Sequence, residues 1–389
     1  MRHFLTFALF LLLLAGCATP PGKSSSCNCS DNTKPAPLTA RYNATSWSAL
    51  PNWPGDNLRD SWPAWLKSCN KLANKAGWKE VCSEARALPT NDDATIRTFF
   101  ESRFQPYQIT TSEGAESGLI TGYYEPLLKG SKEASPTRAP IYGVPDDLLL
   151  IDLGDNFPAM KGQRLRGRLN GRKVVPYWSR ADIEAGKAPT AGLALVWADN
   201  PIEAFFLQIQ GSGRVQLEDG SLMRVGYADQ NGHPYKSIGK WLIDQGQLKP
   251  GEASMQGIQA WARANPARLK TLLDSNPSYV FFRQLPNAEG GPIGALNVPL
   301  TDGASAAVDP KFVPLGSPIY LATSWPNEEK PLNRLMHAQD TGGAIRGPIR
   351  ADFFWGYGNE AGQFAGRMKQ QGKIWLLWPK GAPLPNTQS

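Results

Sequence analysis

The chain has 389 residues, with 41 Lys and Arg against 34 Asp and Glu for a formal net charge of +7, and 41% of its residues are hydrophobic. At ~150 residues per domain this is room for about two domains with cores of their own. The mildly basic balance suits an acidic polymer, but no Lys/Arg stripe of a nucleic-acid groove is present and nucleic acid is not expected as a partner; with His233 and His337 the only histidines beyond the leader, and no C-x-x-C or H-E-x-x-H spacing, neither a metal nor a cofactor is expected.

Arg2 precedes an unbroken apolar run from Phe7 to Ala15, too short for a mature membrane span, so residues 1–16 read as a secretory signal. The run ends in Leu14-Ala15-Gly16-Cys17, a lipobox pattern that makes the Cys17 thiol the expected site of lipidation. Residue 18 is Ala rather than Asp, which favours the periplasmic face of the outer membrane. Residues 17–47, rich in Ser, Thr, Pro, Asn and Lys without an apolar period, read as a flexible tether.

Apolar residues at 62, 65, 66, 69, 72, 73 and 76 then form a helical stripe, and Trp78, Val81, Cys82 and Ala85 form a second. Both stripes carry a cysteine, and in an oxidising compartment Cys69 and Cys82 are expected to pair. The pairing of Cys27 and Cys29 stays open. A third helix, capped near Thr90 or Asn91, carries Ile96, Phe99, Phe100 and Phe104. Strands follow at 119–124, 194–197, 205–210 and 222–225, separated by Gly, Pro and Asp turns. Helices are expected at 237–246, 254–264 and 268–274, then strands at 279–282, 304–308, 318–322, 335–339 and 374–378, with a helix at about 360–371 stopped by Gly372. The reading is mostly β, with helices at both ends.

Three aspartates lie beside glycine turns in the last quarter: Val308-Asp309-Pro310, Gln339-Asp340-Thr-Gly-Gly-Ala-Ile-Arg-Gly347 and Ala351-Asp352-Phe-Phe-Trp-Gly356. Strand ends beside turns are where sites are built. Together with Gly122-Tyr-Tyr-Glu-Pro126, Gln210-Gly-Ser-Gly213, Gly232-His-Pro-Tyr-Lys-Ser-Ile-Gly239, Met255-Gln256, Asn276-Pro-Ser-Tyr-Val-Phe-Phe282 and Glu360-Ala-Gly362, these stretches resemble the membrane-bound lytic murein transglycosylase A family, with its C-terminal three-aspartate domain.

The resemblance implies a two-domain protein. A double-psi β-barrel domain with N-terminal helices takes residues 48–125 and 286–389, a second β domain is inserted at 126–285, and a glycan groove lies between them. It implies peptidoglycan glycan strands as substrate, cut between N-acetylmuramic acid and N-acetylglucosamine with formation of a 1,6-anhydro ring, and cell-wall synthases or scaffold proteins as candidate protein partners. Hydrolysis needs a second carboxylate to activate water or attack. An intramolecular C6 hydroxyl removes that need, so one carboxyl can protonate the leaving oxygen and then accept the proton of the attacking hydroxyl.

The residue that matches the family's catalytic acid is Asp352, beside the desolvating Phe353, Phe354 and Trp355 and with Arg350 on its face if the segment is extended. Asp340, expected to accept backbone N–H bonds in its turn, and Asp309 are supporting residues. Tyr123, Tyr124, Tyr235 and Trp355 border Gly or polar motifs and are candidate sugar-binding aromatics. Gln210, Ser212, Lys236 and Ser237 are candidate partners for acetamido or hydroxyl groups. Two alternatives remain: a non-catalytic peptidoglycan-binding lipoprotein, and an aspartic protease suggested by Asp340-Thr341-Gly342, whose single copy would need a symmetric dimer.

Overall fold

The computed structural model describes residues 39–88, 92–286, 290–326 and 328–385. Cys17, Cys27, Cys29, the signal, Thr90 and Asn91 lie outside the described residues. Among the described residues no helix is long and apolar enough to cross a membrane.

The folded part includes strand β1 (Ala40–Ala44), so the tether reading to residue 47 extends too far. Helices α1 (Leu58–Leu72) and α2 (Lys79–Ala87) carry the two predicted stripes, and the Cys69–Cys82 disulfide joins them with the Cα atoms 5.2 Å apart. Helix α3 (Asp93–Arg103) is capped by Asp92, whose carboxylate accepts from Thr95 N–H at 3.0 Å. Phe104, read as helical, instead opens strand β2 (Phe104–Thr111), which leads to β3 (Gly118–Glu125).

The middle of the chain holds β4 (Leu127–Ser131), β5 (Ala139–Tyr142), β6 (Leu149–Ile151), β7 (Leu165–Asn170), β8 (Lys173–Pro176), α4 (Arg180–Glu184), β9 (Ala194–Ala198), α5 (Pro201–Gln210), β10 (Ser212–Gln216), β11 (Leu222–Gln230), α6 (Ile238–Asp244), α7 (Met255–Ala264), α8 (Leu269–Asp274) and β12 (Val280–Leu285). Six strands form a sheet in the order β12-β11-β10-β4-β9-β5, and β6-β7-β8 form a small separate one. The expected strand at 205–210 is helix α5. Asn200 accepts from Ile202 N–H as its cap, Pro201 presets the first turn, and Gly211 at φ 78° ends it. Ile202, Phe205 and Phe206 are buried against α6, α7 and α8, so this region is more helical than the β domain expected there.

The C-terminal part comprises β13 (Ser305–Val308), β14 (Pro318–Ser324), β15 (Pro331–Asp340), β16 (Ala351–Tyr357), α9 (Gly358–Ala365) and β17 (Lys369–Pro379). The helix expected through Gln371 ends at Ala365; a short turn follows and strand begins at Lys369. β17 pairs with β14, β2 and β3, so β17-β14-β15-β13-β16-β3 close into a ring of six strands, with β2 and β1 appended. Two pairs in that ring, β13 with β15 and β16 with β3, are parallel. The fold is therefore mostly β with several sheets and interspersed helices.

Helix α1 lies on β15 and is fixed there by polar contacts as well as by burial. Gln339 donates to Ala64 O at 2.7 Å and to Ser68 Oγ at 2.9 Å, while its carbonyl accepts from Ser305 Oγ at 2.6 Å. His337 sits 3.1 Å from Ser61 O and stacks on Trp65. Burial drives its pKa down to about 3, so it is a neutral core residue.

Candidate active site

Asp352 is on the second position of β16, between two neighbours. In the strand registers it pairs with Ala307 of β13 on one side and Thr121 of β3 on the other. Ala307 also pairs with Asp340 of β15, because the β13–β15 register skips Gln339 after Ala306↔Ala338. Paired residues project to the same side of a sheet, and a shift of one residue reverses the side. Gln339, two residues after His337, points like it toward α1 by ordinary alternation, and the irregularity brings Asp340 to the face that carries Asp352. Two aspartates from motifs twelve residues apart in sequence flank one alanine.

The two carboxyls have different surroundings. Asp340 Oδ1 accepts from Ala295 N–H at 2.9 Å and Oδ2 from the Tyr123 hydroxyl at 3.1 Å, with Thr341 N–H contributing a further bond. Burial raises its pKa while these donors oppose the rise. At Asp352, Oδ1 accepts from the Thr121 hydroxyl at 2.6 Å, and Oδ2 has no hydrogen bond among the described residues. Its carboxyl lies deep among protein atoms yet keeps some solvent access. Burial pushes its pKa up to about 6, the Thr121 bond and the Arg350 charge pull it down, and Asp340 adds to the rise.

Arg350 does lie near Asp352, but its bonds run elsewhere. Nη2 donates to Thr121 Oγ1 at 2.9 Å, and Nη1 donates to Ala351 O at 2.6 Å and Leu119 O at 3.3 Å. Arg350, Thr121 and Asp352 therefore form a directed chain in which the threonine oxygen accepts from the guanidinium and donates to the carboxyl. Thr121 was not singled out from sequence, although its alternation with Tyr123 in the strand 119–124 was a usable signal. Asp309 is buried and bonded to the backbone, accepting from Lys311 N–H at 3.2 Å and Gly347 N–H at 2.9 Å. Gly347 stands at φ 112°, a conformation open to glycine, so Asp309 ties down the turn that leads into β16.

The candidate sugar contacts divide. Tyr123 shares the face of Thr121 and Asp352, its ring 5.1 Å from that of Phe354. Trp355 is on the opposite face: its Nε1 donates to Met368 Sδ at 3.3 Å and its ring stacks on Phe364 at 4.8 Å. A Cβ on Gly122 would stand 2.6 Å from that Nε1, which explains the glycine. Only Phe354 of the expected aromatic triplet therefore shares the Asp352 side. Tyr124 is buried against Ala361 and Ala365, its hydroxyl 3.6 Å from Met255 Sδ, and serves as core. Gln210 accepts from Tyr124 N–H at 3.2 Å, tying the end of α5 to β3.

Ser212 opens β10 and is partly exposed. Tyr235, Lys236 and Ser237 lie in the approach to α6. Ser237 caps that helix by accepting from Lys240 N–H, Lys236 N–H donates to Asn276 Oδ1, and Tyr235 is exposed. No bond among the described residues joins these three to the aspartates. A junction that sequence reasoning missed holds β3 against the second sheet. Glu125, fully buried, accepts from Arg214 Nε at 2.9 Å and faces Arg224 at 3.7 Å. The two arginines in turn donate to Gly290 O and Gly291 O.

This arrangement, one partly accessible carboxyl raised toward neutrality beside a second one saturated with donors, can deliver and take back a proton at a single point. Comparison with known proteins places the chain in a family. Residues 119–283 match the MltA specific insert domain and residues 304–378 match the 3D domain. The chain is 31% identical over 304 residues to the membrane-bound lytic murein transglycosylase A of Vibrio cholerae, covering 76% of this chain and 74% of the relative. It is 35% identical over 285 residues to the protein of that name from Escherichia coli K12, covering 71% and 69%. Among solved structures it resembles MltA from Neisseria gonorrhoeae, at 40% identity with a TM-score of 0.78 over 90% of this chain and 95% of the other. It also resembles E. coli MltA with bound chitohexaose, at 28% identity with a TM-score of 0.67 over 90% and 97%. The chain belongs to the membrane-bound lytic murein transglycosylase A family.

Proposed function

We propose that this enzyme cleaves the β-1,4 bond between N-acetylmuramic acid and N-acetylglucosamine of peptidoglycan without adding water, leaving a 1,6-anhydro-N-acetylmuramic acid end. The carrying observation is the inequality of the two aspartates: Asp352 is raised to about 6 and its Oδ2 has no donor among the described residues, whereas both oxygens of Asp340 are engaged. In this reading Asp352, protonated, gives its proton to the glycosidic oxygen as the bond to C1 breaks. The resulting carboxylate then takes the proton of the C6 hydroxyl as that oxygen closes on C1. Nucleophile and electrophile belong to one sugar, so effective molarity favours ring closure over attack by water. Asp340 supports the site by holding Tyr123 and, as a neighbouring acid, by keeping the Asp352 proton on.

In this proposal the six-stranded ring is a double-psi barrel, and its domain, with β1 and the N-terminal helices, takes residues 40–125 and 286–389. Residues 126–285 are the inserted domain, and the glycan lies between the two. Attachment through lipid at Cys17 to the periplasmic face of the outer membrane, with cell-wall synthases or scaffold proteins as neighbours, completes the proposal. Support for a glycan ligand comes from the relative solved with chitohexaose, and support for membrane attachment from the membrane-bound relatives. A protease reading fits poorly, because the Asp340 of the Asp-Thr-Gly sequence has both oxygens occupied. The test is mass analysis of digested sacculi: muropeptides one water lighter than muramidase products are expected, and reducing-end products overturn the proposal.

A further inference from the structure

The small sheet β6-β7-β8 has two unlike faces. Its register sets Leu150 opposite Arg166 and Val175 opposite Arg168, and this side is fastened to the body of the protein through the two arginines, with Leu150 exposed at its edge. Arg166 pairs with Asp229 at 2.9 Å, and the Arg168 guanidinium lies 3.7 Å from the Trp178 ring centroid. The other face carries Leu149, Ile151, Leu165, Leu169, Val174 and Pro176, with the buried Gly167 in the middle. A Cβ on Gly167 would meet Val174 and Ile151 side chains at 2.9 and 3.2 Å, which places those side chains on this face. Leu169 is 61% exposed and Val174 53%, and Phe157, in the loop before β7, is 56% exposed. A contiguous open aliphatic face of this kind marks an interaction surface.

Its rim is cationic. Lys161 and Arg164 precede β7, and Arg172 and Lys173 sit at the turn after it, so exposed cations bracket the aliphatic face at both ends of the strand. None of the four makes a salt bridge among the described residues, and the exposed acids of the same stretch are Asp152 and Asp155. A second copy of the chain would bring like charges together at both ends. A hydrated polyanion would satisfy the cations but leave the leucines without an apolar partner. An anionic lipid surface satisfies both, since basic residues are drawn to headgroups while apolar side chains enter the boundary with the acyl chains.

We propose that the open face of β6-β7-β8 rests on an anionic phospholipid surface, with Leu165, Leu169 and Val174 inserted and Lys161, Arg164, Arg172 and Lys173 at the headgroup phosphates. The contact is independent of the reaction and of attachment at Cys17. It would hold the enzyme in one orientation against the membrane.

The test uses the full chain carrying Cys17→Ser, with vesicles of phosphatidylglycerol and phosphatidylethanolamine compared with phosphatidylcholine alone. Hydrogen exchange read by mass spectrometry is expected to show protection over residues 149–176 with the anionic vesicles only. Leu169→Ser with Val174→Ser should weaken partitioning by about ten-fold. Arg164→Gln, Arg172→Gln and Lys173→Gln together should weaken it by at least roughly as much, and added salt should mimic that loss. Unchanged circular dichroism and glycan cleavage confirm that the variants are folded. The proposal is overturned if the chain binds vesicles while residues 149–176 stay unprotected, or if both variants partition like the parent. Protection that appears with sacculi or with rising protein concentration, and not with vesicles, also overturns it.

Discussion

Thr121 and Asp352, 231 residues apart in sequence, meet across a parallel strand pair with the threonine hydroxyl donating to the carboxyl at 2.6 Å. The bond fixes one carboxyl oxygen and leaves the other without a hydrogen bond among the described residues. Replacing Thr121 with Val removes the donor and keeps the shape. Because that bond lowers the Asp352 pKa, the high-pH limb of the activity profile should move upward in Thr121→Val. Turnover at low pH should fall about ten-fold from lost orientation. An unmoved limb with equal loss at every pH would leave Thr121 a packing residue only.

The three aspartates should respond unequally to amide substitution. Asp352→Asn keeps the shape but can neither give nor accept the proton, so turnover should fall ~100 to 10,000-fold with glycan affinity retained. Asp340→Asn should keep measurable activity with lowered stability, since one amide position would face the Ala295 N–H or the Tyr123 hydroxyl. Asp309→Asn should be milder in catalysis and act through the turn at Gly347. Product release measured beside thermal unfolding separates these outcomes, and a well-folded but inactive Asp340→Asn with an active Asp352→Asn would move the acid to Asp340.

The raised pKa also predicts how stability depends on pH. Unfolded, Asp352 titrates near 4; folded, at about 6. Below pH 4 both states hold the proton and the group is neutral toward folding. Between 4 and 6 the unfolded chain ionises first, so stability falls as pH rises, and above 6 the full penalty is present. Asp352→Asn removes a penalty on the order of 2 to 3 kcal/mol at neutral pH and nothing at pH 4. Unfolding midpoints of parent and variant should coincide near pH 4 and diverge toward pH 7, the variant melting higher. Activity of the parent should decline above about pH 6, where the acid loses its proton.

The cysteines give a prediction for each end of the N-terminal region. Cys69→Ser should lower stability by about 2 to 3 kcal/mol through the short loop that the Cys69–Cys82 bridge closes, with the rate per folded molecule unchanged. Cys17→Ser should move the protein from detergent-requiring to salt-extractable in membrane fractions. Retention of the variant after a high-salt wash would count against the lipid anchor.

What could be read from the residues depended on whether the signal was local. The stripes around Cys69 and Cys82 gave helices and a bridge, since period and spacing are properties of one segment. Phe205–Gln210 fits a strand as well as a helix because a short apolar run suits either element, and it is the Asn200-Pro201 start and the Gly211 stop that decide for helix. Asp352 was legible through its motif. Its partnership with Thr121, and the skipped Gln339 that turns Asp340 to the same side, arise from register between distant strands, which no single segment encodes. Trp355 lies three residues beyond Asp352, and strand alternation puts it on the opposite face.

The eleven residues of β17 carry a consequence for timing. Lys369 to Gly372 pair with β3, and Lys369 stands directly opposite Thr121. Until this last-made strand arrives, β3 has an open edge and the threonine that holds the acid is unsupported on one side. A chain that lacks this strand therefore lacks the finished pocket around Asp352, so on the proposed mechanism wall cleavage waits for β17 to fold into place.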